Sequence, residues 1–102
     1  MITAWEFTKE RQQLAIELAD KFMDLLADNA LSKGSRTIEL PISDTYSTSP
    51  KVQMLMRDSY DMEEYVGPIL DRELKKYGWN CTLKFIQPKN HPSYYKLTVF
   101  PS

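Results

Sequence analysis

Hydrophobic and polar residues alternate most cleanly toward the C-terminal end of the chain. Trp79, Cys81, Leu83 and Phe85 are separated by Asn80, Thr82 and Lys84, and Tyr95, Leu97 and Val99 by Lys96 and Thr98. A period of two over runs of this length predicts two half-buried strands, and the polar stretch PKNHPS between them predicts a hairpin. A turn centred on Asn90 sets Leu83 across from Leu97, Phe85 across from Tyr95 and Lys84 across from Lys96, with both apolar sets on one face. A slip of one residue would turn one apolar set outward. Gly78, just before Trp79, suits a helix stop, and Lys75 and Lys76 complement the carbonyl end of the helix before it.

From Thr3 to Lys33 the period changes to that of a helix. Thr3 is placed as N-cap, Glu6 as its reciprocal partner, Ile2 and Phe7 as a hydrophobic staple, and Gly34 as the stop. Phe7, Leu14, Leu18, Phe22, Leu25 and Leu26 form the main apolar stripe. A second, smaller stripe of Ile16, Ala19, Met23, Ala27 and Ala30 runs beside it. Such a helix would reach roughly 40 Å, against about 23 Å for a seven-residue strand, so part of it should overhang the sheet. The second stripe either packs on the middle helices or, through Ile16, Met23 and Ala27, meets a partner or a second copy.

Between these ends, Ile38, Leu40 and Ile42 alternate with Thr37, Glu39 and Pro41, which predicts a strand over Arg36 to Ser43; Pro41, having no N–H, places it at a sheet edge. A polar loop follows over Asp44 to Ser49, with Ser49-Pro50 as a helix start. Val52, Leu55, Met56, Met62 and Val66 supply the next buried stripe. Gly67-Pro68 then predicts an interruption, giving helices over Lys51 to Val66 and Pro68 to Tyr77. One kinked helix is the alternative, and Asp61 with Glu64 offers another start signal near Ser59. The prediction is a single α+β domain of order α-β-α-α-β-β. A three-stranded antiparallel sheet, made of the edge strand and the C-terminal hairpin, is covered on its inner face by the long first helix and two middle helices. The expected core is Phe7, Leu14, Leu18, Phe22, Leu25, Ile38, Leu40, Leu55, Val66, Leu70, Leu74, Trp79, Leu83, Phe85, Leu97 and Val99.

Composition narrows the function classes. With 102 residues there is one core, and 13 basic against 14 acidic side chains leave a net charge near −1, so no global field draws the chain to nucleic acid or anionic lipid. The lone Cys81 excludes an internal disulfide. The first residues lack a basic segment followed by an apolar run, and no window approaches the roughly 20 apolar residues of a membrane span, so a cytoplasmic location without membrane contact is expected.

Candidate chemistry is sparse. His91 lies in the hairpin loop beside Asn90 and Pro92 with no nucleophile or second ligand nearby in sequence. Asp58, Asp61, Glu63 and Glu64 form an acidic cluster without the glycine-bearing loop that converges oxygens on a cation. They read as a solvated face or as an acidic patch for a basic protein partner. Cys81 has no general base and faces inward. On the outer face of the hairpin, Lys84 opposite Lys96 is an unfavourable like-charge pair. Either Glu39 from the edge strand offsets it, or Lys84, Lys96 and Lys89 meet phosphates while Tyr94 and Phe100 offer stacking surfaces.

The order of elements resembles a winged-helix domain. A DNA-binding member would normally carry basic residues on the second middle helix, where Asp71, Arg72, Glu73, Lys75 and Lys76 nearly cancel. The segment LKKYGWNCTLKF followed by YYKLTVFP is also similar to the carboxyl end of many small bacteriophage proteins, which implies a phage or mobile-element accessory protein. The expected function is therefore non-enzymatic. The chain would bind and modulate or inhibit a host or defence protein, without cofactor or metal. The alternative is a winged-helix-like nucleic-acid binder that uses the outer face of the hairpin.

Overall fold

The protein is seen in a computed structural model that describes residues 1–42 and 50–102. The polar loop expected over Asp44 to Ser49, the Ser49 cap and the expected last strand residue, Ser43, lie outside the described residues.

Helix α1 (Ala4–Leu25) begins where expected, with the Glu6 N–H donating to Thr3 Oγ1 at 3.1 Å. It runs into a π-helical turn (Leu26–Ala30) and a 3-10 turn (Leu31–Lys33), and Gly34, at φ 80°, ends it in the left-handed region. The wider turn keeps Leu26 and Ala30 buried where the helix end meets the first strand.

The middle of the chain forms the expected two helices, but the break between them falls at Asp58 rather than at Gly67-Pro68. Helix α2 (Pro50–Arg57) stops at Asp58, whose backbone is extended (φ −105°, ψ 101°). Asp58 Oδ1 accepts from the Tyr60 and Asp61 N–H groups at 3.0 and 3.2 Å and so caps the next run. That run is continuous: the single turn α3 (Ser59–Asp61), a π-helical turn (Met62–Val66) and α4 (Gly67–Lys75). Gly67-Pro68 does not interrupt it. Proline cannot donate to the carbonyl four residues back, and its ring clashes there. The π turn, in which the Gly67 N–H reaches the Met62 carbonyl, admits one extra residue and accommodates the ring inside the helix. The break therefore falls near Ser59, where the second start signal lay.

The strands β1 (Thr37–Pro41), β2 (Trp79–Ile86) and β3 (Tyr94–Pro101) form a three-stranded antiparallel sheet in the order β1-β3-β2. The hairpin register is the expected one, with Leu83 opposite Leu97, Phe85 opposite Tyr95 and Lys84 opposite Lys96. Asn90 takes φ 70° in the turn. Strand β1 is shorter than expected, since Ile42 has left it, and it lies at an edge with Pro41 across from Tyr94.

The inner sheet face and the helices share one core. Leu18, Phe22, Leu26, Val52, Leu55, Met56, Met62, Val66, Leu70, Tyr95, Leu97 and Val99 are essentially inaccessible. Leu14, Leu25, Trp79, Leu83 and Phe85 pack against it while staying partly open. Phe7 is a correction: it is 45% exposed. It lies near the α2 residues Lys51 and Met54 at the N-terminal end of α1, and the Arg11 guanidinium sits over its ring at 4.7 Å. Ala19 and Ala30, assigned to the second stripe, are fully buried, because small side chains let neighbouring elements approach closely.

Gly78, at φ 82°, turns α4 into β2, and its carbonyl accepts from both the N–H and the hydroxyl of Ser102, each at 3.1 Å. A Cβ here meets nothing within 4 Å, so the cost of Gly78→Ala is purely conformational. Chemical denaturation should show a loss of about 1–2 kcal/mol with an unchanged m value.

Candidate functional site

The second-stripe residues Ile16, Met23 and Ala27 reach the surface along the seam between α1 and the α3–α4 run. At 100° per residue they fall on one flank of α1, adjoining the face that buries Ala15, Ala19 and Phe22. Ile16, 43% exposed, opens into a depression of about 380 Å³ with Gln12, Glu64, Tyr65, Pro68, Ile69 and Arg72. Farther along the seam, Met23 and Ala27 line a second depression of about 380 Å³ with Leu26, Leu31, Leu74, Tyr77 and Trp79, edged by Asp24. Tyr77 stands at its rim, 72% exposed. No local pattern marks Tyr65, Ile69 or Tyr77 for this seam, because their role depends on how α4 lies against α1.

Charge along the seam is mostly negative. Asp20, Asp24 and Asp28 are exposed on the solvent side of the α1 flank. Glu63 and Glu64 are exposed on the π turn, Glu64 lining the first depression, and Glu64, through hydrogen bonding and its charge, pushes the pKa of the Tyr60 phenol above its ordinary value. The other members of the expected acidic patch are engaged in the fold. Asp58 is the helix cap, and Asp61 pairs with Arg11 at 3.6 Å with its side chain only 14% exposed. Among the described residues, no group of three or more His, Cys, Asp and Glu side chains is placed to hold a metal ion.

Burial, reinforced by Asp58 and opposed by Arg11, raises the Asp61 carboxyl above its ordinary value near 3.8. The folded state then binds this proton more tightly than the unfolded chain does. Asp61 therefore contributes stability at low pH that is lost as pH rises from about 3.8 through its folded value. Asp61→Asn should flatten that part of the stability curve, measured by urea unfolding between about pH 3 and 6.

On α4, the cations are consumed locally. Lys75 pairs with Asp71 at 3.0 Å, Lys76 with Glu73 at 2.9 Å, and Arg72 approaches Glu73 at 3.4 Å. The outer sheet face differs. Lys84, Lys96, Thr82 and Thr98 line a cleft of about 190 Å³. Glu39 lies across β3 from Lys84, in register with Lys96, but among the described residues no carboxylate comes within 4.0 Å of either lysine. Tyr94 and Phe100 occupy the same face of β3 on either side of this row, and Lys89 is exposed in the hairpin loop with His91. Cys81 is partly buried, and burial, followed by the charge of Asp71, raises its thiol, so it is a poor nucleophile.

No helix among the described residues is long and apolar enough to cross a membrane. Comparison with known proteins adds no relative: no family model, no curated protein and no solved structure matches this chain.

Proposed function

We propose that the protein is a non-enzymatic interaction factor, of phage or mobile-element type, that binds and modulates a host or defence protein along the α1–α4 seam. The observation that carries this reading is that Ile16, Met23 and Ala27 remain accessible and open into two depressions shared with α4, beneath an acidic rim. Apolar anchor sites bordered by one sign of charge suit a partner surface of the opposite sign, with the apolar centre supplying affinity and the rim supplying steering. The partner is therefore a cationic protein surface with protruding apolar side chains. A second copy of this chain is a poorer occupant: a two-fold interface on the seam would set Asp20 and Asp24 near their own equivalents.

Tyrosines that a partner covers completely, near the centre of the contact, are common energetic centres of binding, and Tyr77, between the second depression and solvent, is the aromatic residue placed to be covered here. Tyr77→Ala is expected to leave folding within about 0.5 kcal/mol of the parent and to weaken the partner by about 2 kcal/mol or more, roughly 30-fold. The experiment is capture of the tagged protein with its partner from nuclease-treated host lysate, then calorimetric titration of the purified pair. Ile16→Glu should abolish binding, and Glu63→Lys with Glu64→Lys should slow association and reduce its salt dependence. Affinities unchanged by both Tyr77→Ala and Ile16→Glu would remove the seam from the mechanism.

A further inference from the structure

The outer face of the sheet carries a second site, independent of the seam. Lys84 and Lys96 are cross-strand partners, which brings their Cβ atoms to about 4.5–5.5 Å and makes their charges repel unless something lies between them. Glu39 is on the far side of Lys96 in the ladder, too far to shield Lys84 and outside ion-pair distance of Lys96. The next row sets Thr82, Thr98 and Thr37 side by side, with the Thr37 and Thr98 hydroxyl oxygens 3.3 Å apart. One of these hydroxyls donates to the other, which leaves a proton of the pair, and the Thr82 hydroxyl, free to point outward. The walls of the cleft are thus two ammonium groups and two threonine hydroxyls.

We propose that this cleft binds a phosphate oxyanion, the lysines neutralising its charge and the hydroxyls of Thr82 and Thr98 donating to its oxygens. A carboxylate offers only two oxygens and one charge, and would leave part of this donor set unused. A phosphate monoester presents three non-bridging oxygens and up to two negative charges and so matches both the charge and the number of donors, whereas a backbone diester, with two oxygens and one charge, would need further contacts to compete. Tyr94 and Phe100 flank the lysine and threonine rows along β3, so a phosphate held here by a nucleic-acid strand would have ring surfaces within reach of the adjoining bases.

The test uses the whole protein with inorganic phosphate, thymidine 5′-monophosphate and a short oligodeoxythymidylate, each against chloride at matched ionic strength. Saturating phosphate should raise Tm by about 5 °C and shift the amide resonances of residues 82, 84, 96 and 98. The Lys84→Gln, Lys96→Gln double variant should start from a higher Tm and lose at least four-fifths of the phosphate response. Thr98→Val, which keeps both charges, should weaken binding about fivefold. Tighter binding of the oligonucleotide, lost in Tyr94→Ala, assigns the phosphate to a nucleic-acid backbone. Equal affinity for all three ligands assigns it to a free phosphate or monoester. Either result supports the site. Equal Tm responses in the parent and the double variant, which general exclusion of phosphate from protein surfaces would produce, or resonance shifts spread over the whole molecule, overturn it.

Discussion

Replacing Phe22 by alanine is expected to remove about 3–5 kcal/mol of stability, a large part of the roughly 5–15 kcal/mol that holds a domain of this size together. Phe22 is fully buried, as are its helix neighbours Leu18, Ala19 and Leu26. It lies on α1 just before the turn that carries the helix end onto β1. Its ring therefore sits where the layers converge, and closing the cavity would need α1 to move against several elements together. Phe7→Ala is the matched control, since the same chemistry is deleted from a side chain that is still half open. There the loss should stay below about 1 kcal/mol. Urea unfolding of the two variants measures both values. Equal losses would mean that α1 is anchored as firmly at Phe7 as at Phe22, contrary to their difference in burial.

The contrast between these phenylalanines also marks how far the sequence is legible. Both sit on the same apolar stripe, and periodicity cannot say where along a 22-residue helix the sheet beneath it ends. The hairpin was readable in full because its determinants are local: strict alternation, Gly78 on one side and Asn90 at the turn. A single register keeps both apolar sets inward. The two middle helices are legible in number and order, but the break between them is not, because two local signals compete. Gly67-Pro68 is the stronger breaker by propensity, yet a π turn absorbs it, while Asp58 makes the break by capping with its own side chain. Whether the helix pays for a proline with a wider turn depends on packing that local sequence does not contain.

The candidate surfaces divide in the same way. Ile16, Met23 and Ala27 stood out by spacing, but Ala19 and Ala30 of the same stripe went into the core. Helical phase puts them all on one side without distinguishing the core-facing edge from the open edge. Tyr77 and Ile69 become part of the seam only through the placement of α4 on α1. The lysine cleft, by contrast, follows from the hairpin register and so was visible beforehand, except for the Thr37 hydroxyl that β1 brings to it.

Tyr95 ties the hairpin to the break between α2 and α3, and its loss should be nearly as severe as that of Phe22. The chain leaves helical geometry at Asp58, so the carbonyls at the end of α2 lose their helical donors. The Leu55 carbonyl is met by the Asp58 N–H at 3.2 Å, and the Met56 carbonyl by the Tyr95 hydroxyl at 2.8 Å. Met56 and Tyr95 are both buried, so water cannot replace that donor. The same enclosure, with the charges of Asp58 and Glu63, holds the Tyr95 phenol far above its ordinary ionisation range. The Tyr95 ring also meets the Phe85 ring at 5.0 Å in a tilted contact. Tyr95→Phe keeps the ring and removes only the hydroxyl, leaving a buried carbonyl without a partner, and should cost about 1–3 kcal/mol. Tyr95→Ala removes the ring as well and should cost about 3–5 kcal/mol. The difference between them measures the packing share. If the hydroxyl holds the α2 end in place, Tyr95→Phe will also speed hydrogen exchange of the amides around residues 55–61 relative to those in the hairpin. A Tyr95→Phe variant as stable as the parent, with unchanged exchange there, would show that the end of α2 is held by packing alone.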